Sequence, residues 1–395
     1  MYQTLEVLGP EHEFAVVDET LKPLSIVDQA IKELRGRVAN NVSLGGYTFG
    51  KELQSHVAEI KANLPFRAPQ EFEEVMQRAV TEINELLKWK FSAKLLGAGM
   101  HPLLRLDEAK IWPHRDRGIY EAMGKVFDMT QHGWLNIQSF QLNLPYASES
   151  EGVKLHGVIT NILPYLPAIS AASPIFESRM GEYMDNRLHF YQINQREVPS
   201  ILGDVIPEYV ASFAEYRKVT VDAYSQELRR LGASPLLMGK EWVNSRGAIF
   251  RFDRRAIEIR VMDEQECVQS DVALSCFIRA LLRGLMDEDI HVSHELLVQD
   301  FNHVVRDGLQ ASVLYPNSEK ARDVCGHFHN IAQKNATKEE RKYLWLIKKR
   351  IEEGSLSNLI TRDVIRKSGK TSFEEAIRSV YLRLAENLSR NKPYT

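Results

Sequence analysis

The chain has 395 residues, of which 50 are basic and 53 acidic, and its formal charge is −3. This length allows two or three domains, or one large catalytic domain with an appendage. Hydrophobic residues at 44% and charged residues at 26% exclude a mostly disordered chain, and the near-neutral charge excludes a broad electrostatic surface for nucleic acid or an anionic membrane.

Predicted strands and helices follow one another without a regular βαβ rhythm. The first 65 residues are predicted to form strands and turns, including a strand at Leu5–Asp18, and Pro69–Leu96 shows the clearest helical spacing of apolar residues. The remaining predicted elements are a strand at Leu135–Tyr146, helices at Glu151–Ile162, Pro207–Leu231 and Ser270–Leu285, strands within Gly247–Met262, and helices through nearly everything after His291. This order predicts an α+β fold with a mainly antiparallel sheet.

The three cysteines, Cys267, Cys276 and Cys325, are too few for a disulfide framework, so we expect free thiols in a reducing compartment. The first 14 residues lack the basic and apolar regions of a signal peptide. The most apolar long stretch, Val158–Phe176, contains three prolines and does not fit a membrane span. We therefore expect a soluble, cytoplasmic protein.

Charged side chains within strands are the most informative feature, because no Walker loop, GxGxxG, HExxH or GxSxG motif occurs. Glu11 and Glu13 are two residues apart and therefore point to one face of their strand, while His12 points to the other and is expected to pack or to support its neighbours. By the same rule Glu258 and Arg260 share a strand face.

Two further segments add polar side chains of the same kind. Gln141 and Asn143 share a face of the strand Leu135–Tyr146 together with Ser139. Glu52 and Glu59 are an odd number of residues apart, so a regular strand cannot present both on one face. We expect a bulge, or a loop that brings Glu52 next to a strand carrying Glu59.

Buried carboxylates without partners cost several kcal/mol each, so these glutamates either face water or are neutralised by a positive group. Mg²⁺ takes carboxylate oxygens and keeps positions open for phosphate, and Arg260 beside Glu258 is suited to bidentate binding of an anion. A solvent-facing sheet with merely solubilising glutamates is the alternative. Repetition of the pattern on several strands favours a carboxylate-lined sheet that binds a metal and an anion.

At these residues the sequence resembles the glutamate–cysteine ligase family of carboxylate–amine ligases, within the glutamine synthetase-like superfamily. Ile119 stands where the family usually has arginine. Gln141 and Asn143 replace the His-x-His of many bacterial members and resemble the Gln-x-Asn of plant-type enzymes, which leaves the number of bound metals open. The resembling segments, in family order, are GPEHEF (Gly9–Phe14), ELQSHVAEI (Glu52–Ile60), RGIYEAM (Arg117–Met123), FQLNLPY (Phe140–Tyr146), LPAISAASPIFESRMGEYMDNR (Leu166–Arg187) and AIEIRVMD (Ala256–Asp263).

The resemblance implies a curved, carboxylate-lined sheet backed by helices and an ATP-dependent ligation, as in glutathione biosynthesis. A carboxylate, in most members the γ-carboxylate of glutamate, takes the γ-phosphate of ATP, and cysteine or another amine then displaces phosphate from the acyl phosphate. The implied cofactors are ATP and Mg²⁺, with Mn²⁺ as an alternative, and the implied partners are small-molecule substrates, not nucleic acid or membrane. Residues 1–290 would form the catalytic domain and residues 291–395 a helical region packed on it, with homo-oligomerisation left open.

The resemblance also implies roles for individual residues. Arg260 would contact the nucleotide and the transferring phosphate, Arg187 a substrate carboxylate or phosphate, and Tyr120 and Asn143 would orient substrate. The implied metal ligands are Glu11, Glu13, Glu52, Glu59, Gln141 and Glu258.

Two other functions remain as alternatives at this point. A guanidino-kinase-like phosphotransferase shares the antiparallel-sheet architecture, although such enzymes use arginine-rich nucleotide sites and this chain has only scattered arginines. A non-catalytic nucleotide- or metabolite-binding member of the fold is the other, and the departure at Gln141 favours it.

Overall fold

The computed structural model describes residues 2–288, 290–317 and 319–395. Its ten strands are β1 (Gly9–Asp18), β2 (Asn41–Leu44), β3 (Tyr47–Lys51), β4 (Val57–Ala62), β5 (Ala93–Leu96), β6 (Ser139–Pro145), β7 (Ile175–Phe176), β8 (Arg179–Met180), β9 (Ala248–Arg251) and β10 (Ala256–Asp263). Eight of them form one sheet in the order β2-β3-β4-β1-β6-β10-β9, with β5 paired to the end of β1, and β7 and β8 form a separate pair. Every strand pair is antiparallel, which confirms the predicted fold class.

Helices surround the sheet and account for most of the C-terminal part of the chain. The α-helices are α1 (Val27–Arg35), α2 (Pro69–Phe91), α3 (Arg117–Met123), α4 (His132–Leu135), α5 (Glu149–Ile162), α6 (Leu166–Ser170), α7 (Asn186–Tyr191), α8 (Pro199–Leu202), α9 (Phe213–Arg217), α10 (Ala223–Arg230), α11 (Val268–Leu285), α12 (His294–Asp307), α13 (Ala321–Asn335), α14 (Lys338–Arg341), α15 (Leu344–Glu353), α16 (Leu356–Ser368) and α17 (Phe373–Ser389). None of the helices that the structure describes combines the length and the apolar character needed to cross a lipid bilayer.

One face of the sheet is buried against α2 and α11. The side chains of Phe14, Phe140 and Ile60 point to this face and are fully buried with Phe72 of α2. Alternation along each strand places the residues between them on the opposite face. The polar residues of β1, β4, β6 and β10 therefore line the face that α2 and α11 leave uncovered.

Several predicted boundaries are wrong for identifiable reasons. The helix predicted at Pro69–Leu96 ends at Phe91, because Ser92 adopts a left-handed conformation and the following residues add β5 to the sheet. The strand predicted from Leu5 begins at Gly9, and Leu5 itself has a positive φ of 61°. The region before residue 65 also contains a helix, α1, whose buried Val27, Ala30 and Ile31 follow helical spacing.

Two other predicted elements are shorter than expected. The helix predicted at Pro207–Leu231 starts only at Phe213, where the side chain of Ser212 caps it, and a π-helical turn separates α9 from α10. The strand predicted at Leu135–Tyr146 begins at Ser139, because the residues before it form α4. The helices predicted after His291 are confirmed as α12 to α17.

A separate group of apolar residues lies over the uncovered face of the sheet. It is distinct from the main core and is contributed by α3, α4, α8, α10 and the segment after α10. Its buried members are Ala122, Met123, Phe127, Met129, Trp134, Leu135, Val198, Ile201, Val221, Tyr224, Leu228, Leu237 and Val243. We call this group the apolar cap.

A buried ion-pair cluster joins the C-terminal helices to α11. Both carboxylate oxygens of Glu340 accept hydrogen bonds, from Arg279 Nε at 2.6 Å and from Arg283 Nη1 at 2.7 Å. Glu340 is fully buried and Arg279 nearly so. Burial opposes ionisation of Glu340, but Arg283 and Arg279 outweigh it and lower the pKa of this carboxyl from 4.5 to about 2.

We expect Glu340→Gln to lower the free energy of unfolding by about 3–5 kcal/mol at pH 7, because two arginines lose their buried counter-ion. The wild-type contribution is present above pH 4.5, the ordinary pKa of the carboxyl, and is lost as the pH falls toward about 2. The difference between the two proteins in urea unfolding should therefore shrink over that range. Glu353→Gln, which removes only an exposed i,i+4 pair with Lys349, is the control, with a change of about 0.5 kcal/mol or less. A similar loss in both variants would contradict the prediction.

Candidate active site

The strand register brings the predicted acidic residues onto one face of the sheet. Glu13 of β1 lies opposite Glu59 of β4, and Glu11 lies opposite Gln141 of β6. Glu258 of β10 continues the same row across the other side of β6. Four strands that are far apart in sequence thus contribute to a single polar surface.

Glu52 reaches this surface from a turn. It follows the last residue of β3, and β4 begins at Val57, so the odd spacing from Glu59 is absorbed by the intervening loop. Glu52 lies beside Glu13 in the wall of one cavity. Of the two arrangements that the sequence left open, the structure has the loop.

An irregularity in β10 sets the direction of the Arg260 side chain. The register between β10 and β6 shifts between Ile259 and Met262, so β10 carries an extra residue relative to its partner. Arg260 Nη1 donates to the carbonyl of Asn244 at 2.9 Å, and Arg260 Nε lies 3.3 Å from Glu258 Oε1. The guanidinium is thereby fixed at the edge of the acidic surface.

Cationic side chains neutralise Glu258 and Glu11. Arg251 Nη1 lies 2.5 Å from Glu258 Oε2, and Arg254 Nη1 lies 3.8 Å from that oxygen. Arg254 also pairs with Glu11, and Lys61 Nζ lies 3.8 Å from the other oxygen of Glu11. Arg254 stands in the turn between β9 and β10 and therefore bridges two of the predicted ligands.

Glu59, Glu13 and Glu52 form the less neutralised part of the surface. Lys61 Nζ lies 2.5 Å from Glu59 Oε2, whereas the described residues form no ion pair with Glu13 or Glu52. Glu13 accepts hydrogen bonds from the backbone N–H of Ser139 at 2.6 Å and from Gln141 Nε2 at 2.9 Å. Glu13 is 9% exposed.

The pKa values of these carboxyls follow their surroundings. Burial, together with the nearby charges of other glutamates, raises the pKa of Glu13 to about 7, that of Glu52 to about 7 and that of Glu59 to about 8. Burial also acts on Glu11, but Arg254 and Lys61 outweigh it and lower its pKa to about 2. A set of carboxyls that repel one another in this way gains stability from any cation bound between them.

The donor set fits a divalent cation that prefers oxygen ligands, because the carboxylates share one face of the sheet, and the two that line the inner cavity, Glu13 and Glu52, have no ion-pair partner among the described residues. The ligands are spread over the surface and not gathered around one point. The group whose ligand atoms all lie within 4.8 Å of one another, within the described part of the chain, is His12, Glu264 and Asp271 on the far side of the sheet.

His12 is a buried ion-pair partner. Its Nδ1 lies 3.2 Å from Glu264 Oε1 and 3.4 Å from Asp271 Oδ2. Burial opposes protonation of His12, but the two acids outweigh it and raise the pKa of the imidazole to about 10. Since a protonated imidazole does not coordinate metal, this group fixes β1 in place, and Glu264 also accepts the backbone N–H of Glu13 at 3.0 Å.

Two hollows open on the acidic surface. The inner cavity, of about 250 Å³, lies under the apolar cap and is lined on the sheet side by Glu13, Glu52, Gln141, Arg187 and Arg260. The outer groove, of about 410 Å³, lies at the other end of the same strands and is lined by Gly9, Glu11, Lys61, Asn143 and Arg254, among others. The inner cavity and the outer groove therefore lie on opposite sides of the row of carboxylates.

Other predicted site residues have defined partners. Tyr120 lines the inner cavity, and its hydroxyl bonds to Lys51. Asn143 lies in the outer groove and donates from Nδ2 to Glu11 Oε1 at 2.9 Å. Gln141 presents its amide nitrogen, not its oxygen, to Glu13, so a role as metal ligand requires its amide to turn.

Arg187 is buried at the start of α7 and pairs with Asp263 at the end of β10. Its Nη2 is buried and has no hydrogen-bond partner among the described residues, although Arg187 lines the inner cavity. Asp263 also accepts the backbone N–H of Ala172 at 2.6 Å. Asp263 thus holds the guanidinium through Nε, and Nη2 remains without a partner among the described residues.

The sequence analysis missed several residues of this surface. Lys61 is two residues from Glu59 and therefore points to the same face of β4, so strand alternation could have identified it. Arg251 is the last residue of β9 and shares a strand face with Ile249, which lies opposite Glu258, so alternation was a signal for it as well. Arg254 gave no such signal, because the direction of a turn residue is not set by strand alternation. The apolar cap was also missed, since its members come from five short segments.

Comparison with known proteins gives a consistent result. The model of glutamate–cysteine ligase family 2 matches residues 7–383 of this chain. An uncharacterized protein of Archaeoglobus fulgidus is 47% identical over 388 residues, which cover 98% of this chain and 100% of that protein.

Solved structures share the fold at low sequence identity. A glutamate–cysteine ligase of Francisella tularensis in complex with AMP has a TM-score of 0.67 and 13% identity, over 98% of this chain and 90% of that one. A bifunctional glutathione synthetase of Pasteurella multocida has a TM-score of 0.59 and 12% identity, over 98% of this chain and 52% of that one. The ligase PafA, in complex with the ubiquitin-like protein Pup, has a TM-score of 0.51 and 12% identity, over 100% of this chain and 78% of that one.

Proposed function

This chain belongs to glutamate–cysteine ligase family 2, whose model spans residues 7–383, and from that premise we propose that it is an ATP- and Mg²⁺-dependent ligase that joins a carboxylate to an amine. The carboxylate we propose is the γ-carboxylate of glutamate, and the acceptor is cysteine or another amino compound. The observation that carries the proposal is the convergence of carboxylates from four segments on one surface between two hollows.

The reaction has two steps. A carboxylate oxygen attacks the γ-phosphorus of ATP, and ADP leaves with the electrons of the broken P–O bond. The amine nitrogen then bonds to the carbon of the acyl phosphate, the bond to phosphate breaks, and the amine proton leaves with the released phosphate. Phosphoryl transfer needs mainly positioning and charge neutralisation, which acidic side chains with bound cations and fixed arginines are suited to supply.

We propose that Glu11, Glu13, Glu52, Glu59 and Glu258 hold the divalent cations, with Gln141 as a further ligand after rotation of its amide. Bound there, Mg²⁺ would neutralise the charge of the phosphate oxygens and so favour attack on the γ-phosphorus. The cationic partners of Glu258 and Glu11 would turn to the phosphates when these arrive, because arginine binds phosphate oxygens bidentately.

Arg260 stands next to Glu258 with its guanidinium fixed by a backbone carbonyl, so we assign it the transferring phosphate. The free side of Arg187 faces the inner cavity and is assigned to a substrate carboxylate or to that phosphate. Tyr120 and Asn143 would orient ligands in the inner cavity and the outer groove respectively.

The nucleotide is assigned to the outer groove. Lys61 and Arg254 give this groove more positive than negative charge, since Glu11 is the acidic residue among its lining side chains. In the inner cavity Glu13 and Glu52 are offset by Arg187 and Arg260, so its formal charges balance and it offers a triphosphate less net positive charge than the outer groove does. On this ground we assign ATP to the outer groove and the amine to the inner cavity.

The test is a panel of carboxylates incubated with Mg-ATP and hydroxylamine, which converts an acyl phosphate to a hydroxamate. We expect ADP and hydroxamate in equal amounts, with glutamate the best carboxylate, and no ADP without a carboxylate. ADP formation with a phosphorylated single substrate and no hydroxamate would identify a kinase. Nucleotide binding by calorimetry without any ADP formation would identify a non-catalytic protein.

A further inference from the structure

The inner cavity has two chemically different walls. The wall formed by the sheet and the adjoining turn is polar and contains Glu13 and Arg260. The opposite wall belongs to the apolar cap, where Phe127, Trp134 and Leu237 line the cavity. A ligand that fills this space therefore needs a polar end toward the sheet and an apolar end toward the cap.

The size of the cavity sets the size of the apolar end. An engineered cavity of about 150 Å³ lined by aliphatic and aromatic side chains binds benzene, and the inner cavity has a volume of about 250 Å³. A small acceptor such as glycine or cysteine would leave much of the cap facing water. Apolar surface left in contact with water costs about 25 cal/mol per Å², so the cap favours a larger apolar group.

Two residues in the wall of the inner cavity have unpaired amide oxygens. Asn194 Oδ1 and Gln195 Oε1 are buried, line the inner cavity and have no hydrogen-bond partner among the described residues. The orientation of Asn194 is fixed, because its Nδ2 donates to the carbonyl of Gly133 at 2.7 Å. Both side chains are at least nine-tenths buried, with 1% and 5% exposure. Unpaired buried acceptors call for N–H donors from a ligand.

From these observations we infer that the acceptor of this ligase is an amine with an aromatic-sized apolar substituent, bound in the inner cavity with this substituent against the apolar cap. The inference rests on the proposed ligase function and narrows it to a substrate class. In the second step the nitrogen of this amine attacks the acyl carbon, phosphate leaves, and the amine proton departs with the phosphate, so no further reactant is needed.

The experiment compares tyramine and phenethylamine with cysteine and glycine, using Mg-ATP and the carboxylate that gives most hydroxamate. We expect kcat/KM for the aromatic amines to exceed that for glycine by about tenfold or more, because a hydrophobic pocket discriminates by that factor for each added methylene-sized contact. The products are identified by mass as the corresponding amides.

A matched pair of variants tests the position of the amine. Leu237 is buried and lines the cavity, whereas its neighbour Leu236 is 50% exposed and does not belong to the lining. Leu237→Trp should lower kcat/KM for tyramine about tenfold or more, and this loss should exceed any change in the hydroxamate yield or in the KM for ATP. Leu236→Trp should change none of these values. Leu237→Phe, a smaller replacement, provides a second variant, and its hydroxamate yield reports whether the enzyme is folded.

The possible outcomes distinguish failure of this inference from failure of the proposed ligase function. Equal use of glycine, cysteine and tyramine by the wild type, or an equal loss for all acceptors in Leu237→Trp, overturns the inference while the ligase function stands. A rise in the KM for ATP or for the carboxylate in Leu237→Trp that is as large as the loss for tyramine assigns the cavity to that substrate and also overturns it. Absence of hydroxamate with every carboxylate contradicts the proposed function itself, and the inference falls with it.

Discussion

Replacement of Glu13 by glutamine is expected to lower kcat for ADP formation by about a thousandfold, because neutralisation of the phosphates by bound cations is the main source of catalysis in phosphoryl transfer. Glu13 stands between Gln141 and Glu59 on the sheet, and it pairs with no cationic side chain within the described part of the chain. Glutamine keeps the shape of the side chain and an oxygen for the N–H of Ser139, so the fold should persist.

Two measurements separate loss of cation binding from loss of structure. Calorimetric titration with Mn²⁺ should show a weaker affinity in Glu13→Gln, while the thermal unfolding temperature of the cation-free variant should not fall. Glu19→Gln, an exposed residue just beyond β1, is the matched control and should behave as the wild type. Full ADP formation in Glu13→Gln with unchanged dependence on Mg²⁺ would refute the assignment of Glu13 as a ligand.

Replacement of Arg260 by lysine is expected to lower kcat by about a hundredfold, since lysine lacks the planar pair of donors that matches a phosphate. Lysine keeps a positive charge beside Glu258, so it can replace the ion pair that Arg260 forms with Glu258 at 3.3 Å. The loss of activity should therefore appear mainly in kcat and less in the KM for ATP. The bond from Arg260 to the carbonyl of Asn244 links β10 to the segment after α10, so unfolding in urea should be measured alongside.

Arg255→Lys is the control for Arg260→Lys. Arg255 is exposed and donates to the backbone carbonyl of Ala147, away from the acidic surface, and its replacement should leave kcat unchanged. If Arg260→Lys retained full activity, or if it lost activity only by raising the KM for ATP, the contact of Arg260 with the transferring phosphate would be wrong.

The ion pairs that neutralise Glu258 and Glu11 affect how substrates would enter the site. Arg254 pairs with Glu11 and also lies near Glu258, and it is one of the more exposed members of the cluster, at 36%. Because Glu11 and Glu258 are buried, Arg254 can exchange them for a phosphate only when a bound cation replaces its charge beside them. The turn between β9 and β10 is thus suited to release both glutamates for cations when ATP arrives.

The acidic residues of the sheet could be predicted because strand alternation is a local rule. Glu11 and Glu13, and likewise Glu258 and Arg260, were assigned to common faces from their spacing alone. That different strands would present these faces to the same hollow was carried by the family resemblance, since register between distant strands is not encoded within either strand. The loop before β4 that accommodates Glu52 was one of two arrangements left open.

The partners of the predicted residues could not be read in the same way. Arg187 is held by Asp263, which is far from it in sequence. Glu258 is held by Arg251, at the end of β9, and lies near Arg254, in the turn that follows. Gln141 was predicted as a metal ligand from the family resemblance, whereas its orientation toward Glu13 depends on the hydrogen bonds available around it. Which way an amide turns is a property of the assembled site.

The sequence by itself determined the fold class, the acidic face of each strand and the helical character of the C-terminal region, because each of these follows from the periodicity of short segments. Only the tertiary structure decided how the inner cavity is walled, with Trp134, Leu237 and the unpaired oxygen of Asn194 meeting from separate segments. Side chains from different parts of the chain come together through packing, and no periodicity within one segment records which distant neighbour it will meet.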